Sequence, residues 1–126
     1  MRLQESVEQG IDVFGLEGEI DFHYAPVLRT LLQGKVKQRT HSLILDLAEV
    51  DYIDSSGMAA IIEYFRDTTK QGGILCLAGM KPNLESLFKV VGLSGAIAAF
   101  PTVQEAAATL KSGTLQPSAL FDKPAA

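Results

Sequence analysis

Three consecutive stretches decide the fold: Ser42-Leu43-Ile44-Leu45-Asp46-Leu47, the connection Ala48-Glu49-Val50-Asp51-Tyr52-Ile53, and Asp54-Ser55-Ser56-Gly57-Met58-Ala59-Ala60-Ile61-Ile62. The first is a short, nearly continuous apolar run, the pattern of a central strand covered on both faces. The third opens a helix expected from about Ser55 to Gln71. Met58, Ile61, Ile62 and Phe65 recur there at the spacing of one buried helical face, with Glu63, Arg66, Asp67 and Lys70 on the other side. Gly72-Gly73 follows, and glycine just past a helix C-terminus commonly ends it.

The same reading extends outward. Residues 3–8 and 11–17 are expected to be two short strands joined by a turn at Gln9-Gly10, with Gly18-Glu19-Ile20-Asp21 as the exit of the second. From about Tyr24 to Lys37, Ala25, Leu28, Leu31, Leu32 and Val36 mark a buried helical face, and Pro26 is tolerated in its first turn. Ile74 to Ala78 reads as another buried strand. A third helix opens at Lys81-Pro82-Asn83 with Leu84, Leu87, Phe88 and Val91 inward and Gly92 as its stop. Ala96 to Phe100 gives a last strand, and a fourth helix follows with Val103, Ala106, Ala107 and Leu110 inward. Thr102 and Glu105 have the spacing of a capping box at its start.

Strands alternating with helices imply an α/β layer fold whose sheet is largely parallel, with four to five strands and about four helices. Residues 1–111 hold no linker and read as a single domain. Residues 112–126 contain two of the five prolines and little periodicity, so a flexible tail is expected, with Leu120-Phe121 as the pair able to dock.

Composition narrows the function. The chain has 126 residues, 47% hydrophobic and 21% charged, which is ordinary for one globular domain. A net charge of −4 with scattered Lys and Arg argues against a nucleic-acid partner. No apolar stretch has signal-peptide or membrane-span form, so a cytoplasmic protein without membrane insertion is expected. The single cysteine, Cys76, lies in an apolar run and reads as a packed hydrophobe. His23 and His41 sit in different segments without metal-ligand spacing, so neither a metal nor a cofactor is expected. Phosphate-binding glycine loops and the hydrolase G-x-S-x-G turn are absent from the sequence. A serine enzyme would need one of the two histidines beside Ser55 or Ser56. No catalytic residue is assigned.

Asp54-Ser55-Ser56-Gly57 supports two readings. Asp and Ser are good helix caps, worth about 1 kcal/mol. A serine hydroxyl at a helix start is also a site where a phosphate is tolerated, because free N–H groups and the helix dipole favour an anion. Local physics leaves both open.

A resemblance separates them. Residues 43–47, followed by Tyr52-Ile53-Asp54-Ser55-Ser56-Gly57-Met58, are similar to the signature of STAS domains, and more narrowly of bacterial anti-sigma factor antagonists. Leu16-Glu17-Gly18-Glu19-Ile20-Asp21 matches a second motif, and Gly72-Gly73 with the Leu84 to Gly92 segment matches later ones, so the resemblance spans residues 3–111. It implies a mixed sheet covered by helices and phosphorylation of Ser55 by an anti-sigma factor that is also a serine kinase. The unphosphorylated form would bind that anti-sigma factor and release the sigma factor, and a serine phosphatase would restore it. Asp21 would lie near the phosphoacceptor, and Asp54, Ser56, Gly57 and Met58 would complete the partner-facing surface, Gly57 by allowing close approach. Met58 stands where leucine is more usual, and the tail exceeds the usual domain. The alternative within the family is a scaffold subunit of a transporter or lipid-transport ATPase complex, indifferent to Ser55.

Overall fold

The computed structural model describes residues 1–117. The expected tail therefore falls largely outside the described residues, as do Leu120 and Phe121. The chain begins with a hairpin, β1 (Arg2–Glu8) and β2 (Ile11–Ile20). Its turn residues Gln9 and Gly10 have φ of 52° and 80°, the left-handed values that two-residue hairpin turns require. Then come α1 (Ala25–Lys37), β3 (Ser42–Ile53), α2 (Ser55–Lys70), β4 (Ile74–Ala78), α3 (Pro82–Val90), β5 (Ala98–Phe100) and α4 (Val103–Ser112).

The five strands form one sheet in the order β1-β2-β3-β4-β5, with β1 antiparallel to β2 and every other pair parallel. The expected mixed, largely parallel α/β fold is the one observed. Leu28 and Leu32 of α1, Ile61 and Phe65 of α2 and Leu84 and Phe88 of α3 pack on one sheet face. Ala106 and Ala107 of α4 cover the other, against Val13, Ile44 and Cys76. Both faces of β4 and of β3 up to Leu47 are thus buried, as their continuous apolar runs imply. Gly113 closes α4 at φ 73°, and Leu115 turns back onto this second core.

Five details differ from the sequence reading. β5 begins at Ala98 and not at Ala96, because its pairing with β4 starts at Cys76–Ala98. The connection 48–53 is not a loop. β3 runs unbroken to Ile53 because its ladder with β2 continues to the Ile20–Ile53 pair, past irregularities at Gly15/Glu17 and Gly18/Glu19. β2 correspondingly extends beyond residue 17 to Ile20. Leu31 and Val91 were expected inward and are exposed, at 39% and 43%. Lys35 takes an inward place on α1 instead, one turn beyond Leu32, and is buried. Val91 falls at the cap of α3, just after its last helical residue.

Candidate functional site

Ser55 is the first residue of α2, where the chain leaves β3 at its C-terminal end. Asp54 is the N-cap, with extended backbone (φ −86°, ψ −178°). Its Oδ1 accepts the Gly57 N–H at 2.9 Å, and its carbonyl accepts the Met58 N–H at 2.9 Å. The second carboxylate oxygen reaches across to β2–α1 and accepts the Phe22 N–H at 2.8 Å. The Asp54 N–H in turn donates to the Ile20 carbonyl at 3.0 Å. One aspartate therefore caps the helix and fastens the loop after β2 to it.

Asp21 starts that loop. Its Oδ1 accepts the His23 N–H at 3.0 Å, and its carbonyl accepts the Ala25 N–H at 2.8 Å, which leads the chain into α1. Asp21 is half-buried beside Phe22, and Phe22 is tied to Asp54, so the two segments that hold the sequence-expected residues meet here. Ser55 is exposed and Ser56 half-buried.

Gly57 and Met58 face inward. An ideal Cβ at Gly57 would lie 2.6 Å from the Ile20 carbonyl oxygen and 2.7 Å from Ile20 Cγ2. The close approach that glycine allows here is thus between α2 and the protein's own β2, in place of the incoming partner expected from the sequence. It seats the helix start low against the sheet and sets the height of Ser55. Met58 forms part of the floor of a groove between α2 and α3. That groove encloses about 560 Å³, and its lining includes Tyr52, Ser55, Met58, Ile62, Leu84 and Leu87. Ser55 is an exposed member of that lining.

Sequence reasoning missed two members of this surface. Phe22 is 74% exposed and Tyr52 52% exposed. A single aromatic side chain in a loop or on a strand end leaves no periodic signal. Lys81 and Asn83 brace the α3 side of the groove: the Lys81 ammonium pairs with the Asp51 carboxylate, and Asn83 Nδ2 donates to the Asp51 carbonyl at 2.9 Å.

The two histidine rings have different neighbours. His41 Nδ1 is 2.9 Å from Ser42 Oγ at the opposite end of β3, and the His23 ring packs edge-on to Tyr24 at 5.0 Å. No group of three or more metal-ligating side chains occurs among the described residues. No helix among them is long and apolar enough to cross a membrane. Burial pushes the Cys76 thiol up to about 12, far from a reactive thiolate.

Comparison with known proteins places the chain. A family model described as the STAS domain matches residues 3–106. The anti-sigma-B factor antagonist of Listeria monocytogenes is 32% identical over 97 residues, covering 77% of this chain and 84% of that protein. The anti-sigma-B factor antagonist of Bacillus subtilis is 38% identical over 82 residues, covering 65% of this chain and 74% of that one. In fold, an anti-sigma factor antagonist from Mycobacterium paratuberculosis superposes with a TM-score of 0.78 at 22% identity, covering 87% of this chain and 93% of that chain. The chain belongs to the STAS domain family and groups there with the anti-sigma factor antagonists.

Proposed function

We propose that this protein is an anti-sigma factor antagonist gated by phosphorylation of Ser55. Unphosphorylated, it binds an anti-sigma factor that is also a serine kinase, and so frees the sigma factor. Phosphate on Ser55 ends that binding, and a serine phosphatase restores it. Asp21, Asp54, Ser56, Gly57 and Met58 then divide into two groups. Asp54 and Gly57 hold the helix start in place, Asp21 and Ser56 border the surface the partner meets, and Met58, buried at the groove floor, backs it.

One observation carries this reading: Ser55 is exposed on the first turn of α2 and lines an apolar groove, with Asp54 already serving as the cap. A hydroxyl that the fold does not need for capping is available for modification, and the helix start tolerates an anion. The named relatives support antagonism of an anti-sigma factor as the partner class. ATP would be supplied by the kinase, so the chain itself needs no nucleotide site.

The test is incubation with the cognate anti-sigma factor and ATP, then site mapping by mass spectrometry. Phosphate at Ser55, and loss of complex on its addition, is the expected result. Modification elsewhere, or none, would refute the reading. Equal binding by wild type and Ser55→Asp would refute it as well.

A further inference from the structure

The surface around Ser55 combines exposed apolar side chains with an acidic border. Phe22 and Tyr52 stand out of it, 74% and 52% exposed, and the groove floor of Met58, Ile62, Leu84 and Leu87 continues it. Around these lie Glu19, paired with Tyr52 in the β2–β3 ladder, then Asp21 and Asp54. None of the three carboxylates has an ion-pair partner among the described residues. Lys81, the basic residue braced at this rim, is taken up by Asp51.

Resting on the function proposed above, we infer that the anti-sigma factor meets this face with an apolar side-chain cluster ringed by Lys or Arg, and that phosphate at Ser55 excludes it by bulk and hydration. Charge complementarity sets the partner's sign. An acidic surface brought against Glu19, Asp21 and Asp54 would be penalised, whereas basic groups at the rim satisfy Glu19 and the free Asp21 oxygen and steer encounter; both Asp54 oxygens already accept backbone N–H groups. The apolar centre of such a contact is filled by Phe22, Tyr52 and the groove.

The mechanism of exclusion follows from that sign. A phosphate adds about −1.5 to −2 charges. Toward a basic rim, added negative charge attracts, so repulsion cannot be what ends binding. What the phosphate changes is the groove lining, where exposed Ser55 joins apolar side chains. Three strongly hydrated oxygens placed there keep water in a contact that has to become dry, and burying them unsatisfied is costly. The bulk of the group also lifts the partner off Tyr52 and Phe22.

Repulsion and hydration predict opposite salt behaviour, which gives the test. Binding of the cognate anti-sigma factor is measured by titration calorimetry at low and high salt, with unphosphorylated protein, phosphorylated protein, Glu19→Lys, Ser55→Gln and Ser55→Asp. Affinity of the unphosphorylated protein should fall by about tenfold between about 50 and 500 mM salt, as screening removes rim attraction. Glu19→Lys, at an exposed strand position, should weaken binding several-fold at low salt and little at high salt. High salt should not restore binding to the phosphorylated protein. Ser55→Gln, bulky and hydrated but neutral, should bind at least as poorly as Ser55→Asp. Affinity that holds or rises with salt, recovery of the phosphorylated form at high salt, or full binding by Ser55→Gln would overturn the inference while leaving the proposed function standing. Failure of the unphosphorylated protein to bind at any salt would overturn the proposed function itself.

Discussion

Asp54 and Phe22 lie 32 positions apart in the chain, yet the Asp54 carboxylate accepts the Phe22 backbone N–H at 2.8 Å while also capping α2 through Gly57. This bond makes the helix that carries Ser55 and the loop that carries Asp21 and Phe22 a single surface. Asp54→Ala removes both acceptors. It should cost about 1–3 kcal/mol of stability, from a lost cap and an unmet charge-assisted bond. Chemical denaturation gives the loss, and hydrogen exchange should show the Phe22 amide exchanging faster than other loop amides. Unchanged exchange at Phe22 would show that the bond does not hold the loop.

Gly57 should tolerate no side chain. A Cβ there would meet the backbone oxygen of Ile20 at 2.6 Å, and a strand carbonyl cannot swing away as a side-chain tip can. Gly57→Ala should therefore destabilise by about 1–3 kcal/mol, the usual range for overpacking. This happens although alanine is the better helix former. Gly34, an interior position of α1 with nothing within 4 Å of its added Cβ, is the control: Gly34→Ala should be neutral or stabilising.

Lys35 is a buried cation with half-exposed partners. Its ammonium pairs with Glu5 at 2.6 Å and Asp12 at 3.0 Å and lies 5.3 Å from the centre of the Phe14 ring. Lys35→Met leaves both carboxylates in reach of water and should be close to neutral. Replacing Glu5 and Asp12 together by alanine strands the buried ammonium and should cost about 1–3 kcal/mol more than Lys35→Met. Equal losses from the two variants would show that burial of Lys35 carries no penalty.

Cys76 should govern part of the alkaline limb of stability. Its thiol ionises near the ordinary 9.0 when unfolded, and burial pushes it up to about 12 in the fold. Above the unfolded value the unfolded chain loses this proton first. Stability is therefore unaffected below about pH 9 and declines as pH rises toward 12. Urea midpoints of wild type should fall more steeply than those of Cys76→Ala between about pH 8.5 and 10.5. Lys35 adds a decline that begins above 10.5 and overlaps that of Cys76. Burial pulls its pKa down, but the bonds from Glu5 and Asp12 outweigh that and hold it above 10.5, so its contribution is lost as pH passes that raised value.

The elements that could be read from sequence were those with one clear periodicity. The Met58-Ile61-Phe65 face gave α2, and the unbroken run Ile74 to Ala78 gave β4 with both faces covered. The upper half of β3 was hidden because Glu49 and Asp51 interrupt its apolar pattern, and its pairing with β2 needs register irregularities that no local pattern announces. Lys35 was hidden for a related reason. It occupies the inward row of Leu28 and Leu32, but a lysine on an amphipathic helix is ordinarily read as solvated, and its carboxylate partners come from β1 and β2. At the site, Ser55 was reached through a motif, while Phe22 and Tyr52 required the folded surface. The role of Gly57 was hidden as well, because the Ile20 carbonyl beneath it comes from a strand far away in sequence.

The central claim is that one phosphate on Ser55 decides whether an anti-sigma factor binds. Calorimetric titration of the cognate anti-sigma factor into the purified protein, before and after stoichiometric phosphorylation, tests it most directly. The complex should be tight before modification and at least about 100-fold weaker afterwards, some 2.7 kcal/mol. The far-ultraviolet circular dichroism should stay the same in both states. Equal affinity in the two states, or loss of binding only together with loss of the folded spectrum, would contradict it.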